Sequence, residues 1–100
     1  MKVRYTTTAS RELDQAVEYL LQHAPHVAPA FADSVESAIA ELVENPLSAQ
    51  ETEQPGVRRK HIRRFRYALF YSVSQDAGEL LVLNIRHAAR RWPWEAAHRG

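Results

Sequence analysis

The spacing of apolar residues changes once along this chain, near residue 57, and that change constrains the fold more than any other feature. Before it, two segments place apolar residues at i, i+3, i+4, i+7 and i+8, which is typical of amphipathic helices. The first segment carries Leu13, Ala16, Val17, Leu20 and Leu21; the second carries Phe31, Val35, Ala38, Ile39, Leu42 and Val43. Hydroxyl residues before the first segment can cap a helix, and Pro25 and Pro46 end the two helices, while Pro29 is tolerated only in a first turn. The pattern predicts a short antiparallel helical hairpin.

The remaining segments follow the two-residue period of strands. Residues 2–6 alternate and predict a short first strand, and the polar stretch 47–56 predicts a loop. Three further strands are predicted at 57–65, 67–74 and 79–87. The order is β-α-α-β-β-β. We therefore predict a single α+β domain over residues 1–100, with the helical hairpin packed on one face of a mostly antiparallel four-stranded sheet.

The two central strands are apolar on both faces. In the strand 79–87, period two places Leu80 and Val82 on one face and Leu81, Leu83 and Ile85 on the other. Two helices cover only one face of a sheet, so the second apolar face needs its own cover. The C-terminal tail, a dimer mate and another chain are the three candidates.

The charge is divided between the two halves of the chain. Residues 1–56 hold three basic and nine acidic groups, a balance of −6, whereas residues 57–100 hold ten basic and three acidic groups, a balance of +7. Six of these basic residues fall within one predicted strand and its end: Arg58, Arg59, Lys60, Arg63, Arg64 and Arg66. The arginine fork suits phosphate and carboxylate groups, so the cluster fits a polyanionic or acidic partner. Protection of an exposed strand edge by charge is the alternative.

Strand alternation does not give this basic segment one apolar face. It places Arg59, His61, Arg63 and Phe65 on one side and Arg58, Lys60, Ile62, Arg64 and Arg66 on the other. A bulge or an irregular start before Ile62 would resolve the conflict.

Several classes of protein are disfavoured by the composition. The chain has no cysteine, which removes disulfides, thiol nucleophiles and cysteine zinc sites. No apolar run reaches the length of a membrane span, and the polar start MKVRYTTTAS is unlike a signal peptide. His23 and His26 have no third ligand nearby in sequence. We expect a cytoplasmic protein without a metal, a cofactor or a membrane partner.

The segments VRRKHIRRFRYALFYSV and LLVLNI, followed by HAARRWPW, together resemble the RelE/ParE superfamily of type II toxins over essentially the whole chain. The resemblance implies a small toxin wrapped by a cognate antitoxin protein. It also implies one of two targets: RelE-like members cleave mRNA on the ribosome, and ParE-like members bind DNA gyrase without catalysis.

The residues at the positions of the RNase branch favour the ParE-like branch. The RNase branch has Arg after the first aromatic of the Tyr-x-x-x-Tyr strand, where this chain has Ala68. The RNase branch also has a later Arg and a terminal Tyr, where this chain has Ala88 and Trp94. We therefore favour a gyrase inhibitor with no catalytic residue, and keep a ribosome-dependent mRNA endoribonuclease as the alternative.

In the endoribonuclease alternative, His61 or His87 would transfer protons, and arginines would stabilise phosphate charge. The candidate residues of that site are His61, His87, Arg63, Arg64 and Arg66. The candidate residues for binding the target or the antitoxin are Arg58, Arg59, Lys60, Arg63, Arg64, Arg66, Arg90, Arg91, Trp92 and Trp94. A structural role at the start of the tail is the other interpretation of His87, and core capping is the other interpretation of the two tryptophans.

Overall fold

The computed structural model describes residues 1–88. Its elements are β1 (Lys2–Tyr5), α1 (Thr7–His23), α2 (Ala28–Glu44), β2 (Gln50–Glu51), β3 (Arg58–Ile62), β4 (Tyr67–Ser74) and β5 (Glu79–His87). One five-stranded sheet has the order β1-β5-β4-β3-β2, in which β1 runs parallel to β5 and the other neighbours are antiparallel. Neither helix in the described part is long and apolar enough to cross a membrane.

The predicted α+β class and helical hairpin are confirmed, and the strand count differs by one. The additional strand, β2, lies inside the segment 47–56 that was predicted to be a loop. It pairs over only two residues of β3, which is too short to leave a two-residue period in the sequence. The sheet is therefore mixed and five-stranded rather than four-stranded.

Local signals in the sequence set the helix ends. The Thr6 side chain accepts a hydrogen bond from the Ala9 backbone N–H at 3.0 Å and so caps α1. Helix α1 ends at His23, ahead of Pro25, and α2 ends at Glu44, ahead of Pro46. The hairpin was predictable because each helix boundary is marked by a capping hydroxyl or a proline.

The core lies between the helical hairpin and one face of the sheet. Its largest fully buried side chains are Tyr71, Phe31, Leu42, Ile62, Leu69, Leu80, Val82 and Ile85. Burial of an aliphatic or aromatic side chain of this size contributes about 1.5–3 kcal/mol each. The Tyr71 hydroxyl donates a hydrogen bond of 2.7 Å to the Pro46 carbonyl, which fastens the end of the second helix to the central strand.

A bulge in β5 overturns the predicted position of Ile85. Phe70 pairs with Asn84, whereas the next residue, Tyr71, pairs with Val82, so Leu83 is the extra residue. One extra residue reverses the faces of everything after it. Ile85 therefore joins Val82 in the helix-side core, and its predicted location on the opposite face is wrong.

The face of the sheet away from the helices also holds buried side chains. Ala68 and Phe70 lie on it, between the helix-facing residues of β4, and they are 7% and 1% exposed. Leu81 and Leu83 are half-buried. Phe70 is thus buried within a single chain, and the cover of this face by the tail, a dimer mate or another chain stays a prediction.

The strand predicted over 57–65 ends early, and a turn follows it. Strand β3 stops at Ile62, and residues 63–66 form a turn in which Arg64 has a φ of 71°. The turn carries Phe65 to the helix side, where its ring packs edge-on against Phe31 at a centroid distance of 5.1 Å. The predicted face of Phe65 is wrong, because the irregularity lies after Ile62 rather than before it.

Candidate functional site

Two basic residues of β3 point to the helix side and are held there. The Arg58 guanidinium donates to the carbonyls of Leu47 and Ala49 at 3.0 and 2.8 Å, and lies 3.6 Å from the Glu51 carboxylate. The Lys60 ammonium lies 3.4 Å from the Glu41 carboxylate of α2. These two side chains fasten the β2 segment and the second helix to the sheet.

Arg59 points to the opposite face and links the two outer strands. Its guanidinium donates to the Gln50 side-chain oxygen at 2.7 Å, across the β2–β3 pair. The first three residues of the basic cluster therefore all contact neighbouring parts of the chain.

The remaining three arginines of the cluster are exposed. Arg63, Arg64 and Arg66 lie in the turn between β3 and β4, which we call the basic turn (residues 63–66). Within residues 1–88 none of the three forms an ion pair. Three guanidinium groups thus stand together at one end of the sheet, available to phosphate or carboxylate groups of a partner.

Beside the basic turn, part of the outer edge of β3 is paired with no strand among residues 1–88. The Val57 carbonyl accepts from the Thr52 N–H at 3.1 Å, so the peptide groups of residues 57, 59 and 61 point towards β2. Strand β2 pairs only with Arg58 and Arg59, so the peptide groups of His61 lie past its end. We call this stretch of β3, at Lys60–Ile62, the open edge.

A shallow cavity lies beside the open edge. It has a volume of about 330 Å³, and its lining includes the small residues Ala30, Ser34 and Ala38 of α2 together with His61 and Arg63. The carboxylates of Asp33 and Glu41 also line it. The small α2 side chains leave room for a partner segment next to the strand.

The two candidate histidines lie on opposite faces of the sheet. His61 alternates with the helix-facing Lys60 and Ile62, so it points away from the helices. His87 points towards α1, where it packs edge-on against Tyr67 at 5.2 Å and lines a cavity of about 220 Å³. The two residues belong to β3 and β5, which are separated by β4, so about 10 Å of sheet lies between them.

Glu12, which the sequence interpretation did not single out, organises the end of β5. Its Oε1 accepts hydrogen bonds from the Asn84 side chain at 3.1 Å and from the Ile85 backbone N–H at 3.0 Å. Its Oε2 lies 2.9 Å from the Arg86 guanidinium. Both oxygens are thus engaged with the bulged strand. No local pattern marks Glu12, because its partner Asn84 is 72 residues away.

The predicted binding set extends beyond the described residues. Arg90, Arg91, Trp92 and Trp94 lie outside the described residues. Among the others, the structure brings Arg63, Arg64 and Arg66 together with His61 at one end of β3. It separates His87 from them.

The fold, a helical hairpin packed on a mixed sheet, is shared with solved proteins. The family described as "ParE toxin of type II toxin-antitoxin system, parDE" matches residues 3–92. The chain belongs to the ParE toxin family of type II toxin–antitoxin systems, and it is the toxin component of such a system.

Individual relatives agree with this assignment. A protein of Sinorhizobium fredii (strain NBRC 101917 / NGR234), named "Putative toxin Y4kP", is 26% identical over 92 residues, which cover 92% of this chain and 93% of the relative. The solved chromosomal ParDE system of P. aeruginosa has a chain with a TM-score of 0.74 and 22% identity, covering 87% of this chain and 95% of that one. A chain of the RelBE2 toxin–antitoxin complex of Mycobacterium tuberculosis has a TM-score of 0.59 and 28% identity, covering 89% and 92%.

Proposed function

We propose that this toxin inhibits DNA gyrase by binding it through the basic turn, acts in the cytoplasm, and is neutralised by a cognate antitoxin. The proposal requires no bond to be made or broken by this chain. The toxin would interfere with the gyrase cycle by occupying a surface that carries phosphate or carboxylate groups.

The exposed arginines of the basic turn carry the proposal. The other charged groups of the cluster have partners within the chain: Arg58 binds two carbonyls, Arg59 binds Gln50, and Lys60 lies beside Glu41. Arg63, Arg64 and Arg66 are exposed and form no ion pair inside the described region. Planar guanidinium groups bind phosphate and carboxylate in a bidentate manner, which suits a DNA-bound enzyme.

The arrangement of acid–base groups supports inhibition without catalysis. Metal-free RNA cleavage needs one group to remove a proton, another to donate one, and fixed positive charge between them. His61 and His87 are on opposite faces and are separated by β4, so one bound phosphodiester cannot reach both. Glu12 lines the His87 cavity, but both of its oxygens are engaged with β5.

An antitoxin partner is supported by the solved relatives. The P. aeruginosa structure is of a ParDE toxin–antitoxin system, and the M. tuberculosis and E. coli RelBE structures are toxin–antitoxin complexes. A toxin of this fold is thus repeatedly found with its antitoxin.

Ribosome-dependent mRNA cleavage is the second candidate, and one observation favours it. His61 is exposed and adjoins the basic turn, so a single histidine could act beside three arginines.

A purified assay of DNA supercoiling by gyrase tests the first candidate. The wild-type toxin should inhibit supercoiling, and the triple variant Arg63→Glu, Arg64→Glu, Arg66→Glu should lose at least 100-fold in inhibitory potency, because all three contacts become repulsive. A control with the same change in net charge reverses the exposed residues Lys2, Arg4 and Arg11 to Glu, which also breaks the exposed ion pair of 3.5 Å between Arg4 and Glu79. It should inhibit normally. Equal loss in both triple variants would mean that only net charge matters.

Pulse-labelling after induction in cells separates the two candidates. A prompt fall in DNA synthesis, with protein synthesis initially intact, is expected. A prompt fall in protein synthesis instead, abolished by His61→Ala or by His87→Ala, would establish the nuclease and rule out the gyrase proposal.

A further inference from the structure

A small cavity on the helix side of the sheet takes no part in the basic turn or the open edge. It lies between α1 and the ends of β4 and β5, has a volume of about 220 Å³, and is bordered by Tyr19 and Tyr67, so we call it the tyrosine cavity. Ala16 and Ile85 are buried and give it an apolar floor. Sites for drug-sized ligands measure roughly 300–1,000 Å³, so this cavity has room for one ring system.

Three aromatic rings stand around the tyrosine cavity. The rings of Tyr67 and His87 lie 5.2 Å apart at an angle of 87°, so a flat ligand that stacks on one of them meets the edge of the other. Tyr19 is 57% exposed and lies at the rim. Its ring is stacked on His23 at a centroid distance of 4.2 Å, which holds it in one orientation. These walls fit a planar aromatic ligand.

Two polar side chains of α1 add hydrogen-bonding groups to the tyrosine cavity. The Glu12 side chain is only 10% exposed. Its carboxylate binds the Asn84 side chain, the Ile85 backbone N–H and the Arg86 guanidinium. A carboxylate can accept about four hydrogen bonds, so one position remains for an N–H of a ligand. Gln15, which is exposed, offers an amide donor and an amide acceptor.

The charges around the tyrosine cavity disfavour ionic ligands. The Arg86 guanidinium lies 2.9 Å from Glu12 and compensates its charge, so the cavity has no surplus negative charge for a cation. An anion inside the cavity would be repelled by the same carboxylate. No cluster of three His, Cys, Asp or Glu side chains within residues 1–88 could hold a metal ion. A neutral, flat heterocycle is the ligand that fits.

The position of the tyrosine cavity favours a nucleobase over other flat heterocycles. The N–H of Ala88, directly after His87, donates to the Arg66 carbonyl at 2.6 Å, so the basic turn adjoins the end of β5 that borders the cavity. A phosphate attached to a base in the cavity would therefore face exposed arginines. An indole side chain of a partner has one N–H donor and no acceptor, whereas a nucleobase has both and can satisfy Glu12 and Gln15 together.

We propose that the tyrosine cavity binds a single purine base, with the attached sugar and phosphate outside. The base would stack on an aromatic wall, donate an N–H to Glu12 and form hydrogen bonds with the Gln15 amide. Purines are favoured over pyrimidines because their larger ring surface stacks better. A free nucleotide and an unpaired base of a single strand share this chemistry. The inference goes beyond gyrase inhibition and does not depend on it.

Titration of the full-length toxin with guanosine and adenosine, followed by NMR, tests this inference. Nucleosides are used because they are uncharged and have no phosphate to bind the basic turn. The signals of Tyr19, Tyr67 and His87 should shift and saturate, and cytidine and uridine should bind roughly threefold more weakly or worse. Inorganic phosphate, which probes the basic turn alone, should leave the Tyr19 signals unchanged.

Variants at the rim of the tyrosine cavity show whether its side chains hold the base. Tyr19→Ala should raise the Kd for guanosine by roughly fivefold or more, because base–aromatic stacking is lost. Tyr19→Phe keeps the ring and should bind as the wild type does, whereas Gln15→Ala should bind more weakly. Tyr5→Ala, which replaces a tyrosine that is 38% exposed elsewhere, is the matched control and should leave the Kd unchanged. Circular dichroism melting curves verify that each variant is folded.

Two further measurements identify the source of the base and separate it from the proposed target. A single-stranded oligonucleotide that binds more tightly than guanosine monophosphate, and loses that advantage with Tyr19→Ala, would assign the base to a single strand. Equal affinities would assign it to a free nucleotide. The triple variant of the basic turn, Arg63→Glu, Arg64→Glu, Arg66→Glu, should still bind guanosine as the wild type does. If the wild-type toxin binds guanosine but does not inhibit gyrase, only the proposed target is wrong.

Three results would overturn the inference. Cavity signals that do not shift at millimolar nucleoside would exclude a base at this site. Equal affinity of Tyr19→Ala and wild type for guanosine would place the base elsewhere. Binding of N-acetyltryptophanamide at the cavity, without binding of nucleosides, would assign the cavity to an aromatic side chain of a partner protein.

Discussion

The two outer strands, β1 and β2, are both shorter than the strands they pair with, and the unpaired remainder of each longer strand is treated differently. On one side, β1 pairs with β5 only as far as Val82, and side chains then continue the pairing: the Thr6 hydroxyl donates to the Leu83 carbonyl at 3.0 Å, and Glu12 accepts from the Ile85 N–H. On the other side, β2 pairs with β3 only at Arg58 and Arg59, and no described residue continues the pairing at His61.

This difference separates residues that hold the fold from residues that are available to a partner. Past the end of β1, the Leu83 carbonyl and the Ile85 N–H are satisfied by Thr6 and Glu12, so this part of β5 is closed to another strand. At the open edge, no strand of the described residues pairs with the peptide groups of His61, and three exposed arginines lie beside it. A protein normally shields such an edge, because an unpaired strand edge invites pairing with another chain. The open edge and basic turn are therefore the expected site of function.

The largest expected effect concerns the closed edge. Glu12→Ala removes the acceptor for two hydrogen bonds and one ion-pair partner of Arg86, and should lower the free energy of unfolding by about 2–4 kcal/mol. Urea denaturation measures it. Glu44→Ala, at an exposed acid of α2, is the control and should change it by less than about 0.5 kcal/mol. If the two variants behave alike, Glu12 does not close the edge.

The next effect concerns the point where β2 stops. Arg58→Met keeps the apolar part of the side chain but loses two hydrogen bonds to the carbonyls of Leu47 and Ala49, and should cost about 1–3 kcal/mol. Arg63→Met, in the basic turn, should cost less than about 0.5 kcal/mol. Equal unfolding midpoints in urea would contradict the division of the basic cluster into held and exposed residues.

A smaller effect comes from the hydrogen bond that anchors the end of α2. Tyr71→Phe removes the bond to the Pro46 carbonyl and should cost about 1 kcal/mol at pH 7. The pH dependence of the stability difference between wild type and Tyr71→Phe gives a second test. Burial raises the pKa of Tyr71, so the folded state holds the hydroxyl proton more tightly than the unfolded state does. The advantage of wild type over Tyr71→Phe should hold below about pH 10 and fall as the pH rises further. An advantage that grows above pH 10 would contradict the assigned environment.

The smallest expected effect has opposite signs for stability and function. Arg64 has a φ of 71°, a conformation that costs a residue with a side chain about 1 kcal/mol more than glycine. Arg64→Gly should therefore leave stability unchanged or raise it by up to about 1 kcal/mol, while weakening gyrase inhibition. Arg66→Gly, which has no positive φ to relieve, is the comparison. Loss of stability in Arg64→Gly would show that the Arg64 side chain supports the fold.

The sequence predicted the elements whose signals are local. The strands at 67–74 and 79–87 have the predicted bounds, and Pro25 and Pro46 mark the helix ends. The sequence analysis missed β2, because a strand of two residues is too short to show a period. It placed Ile85 on the wrong face, because the bulge in β5 adds one residue and no residue type in the sequence marks that bulge. The early end of β3 was missed for a similar reason, since Arg64 adopts a positive φ that favours glycine.

By itself, the sequence determined that this chain folds as two amphipathic helices on a sheet, that its second half is basic, and that it resembles a RelE/ParE toxin. Those properties follow from spacing, charge and short motifs, which are local. Only the tertiary structure decided which arginines are held and which are exposed, because Arg58 and Lys60 find their partners in distant loops and helices. It also placed the two histidines on opposite faces and gave Glu12 its role, since the pairing of β1, β4 and β5 sets these positions and no short stretch of sequence contains them.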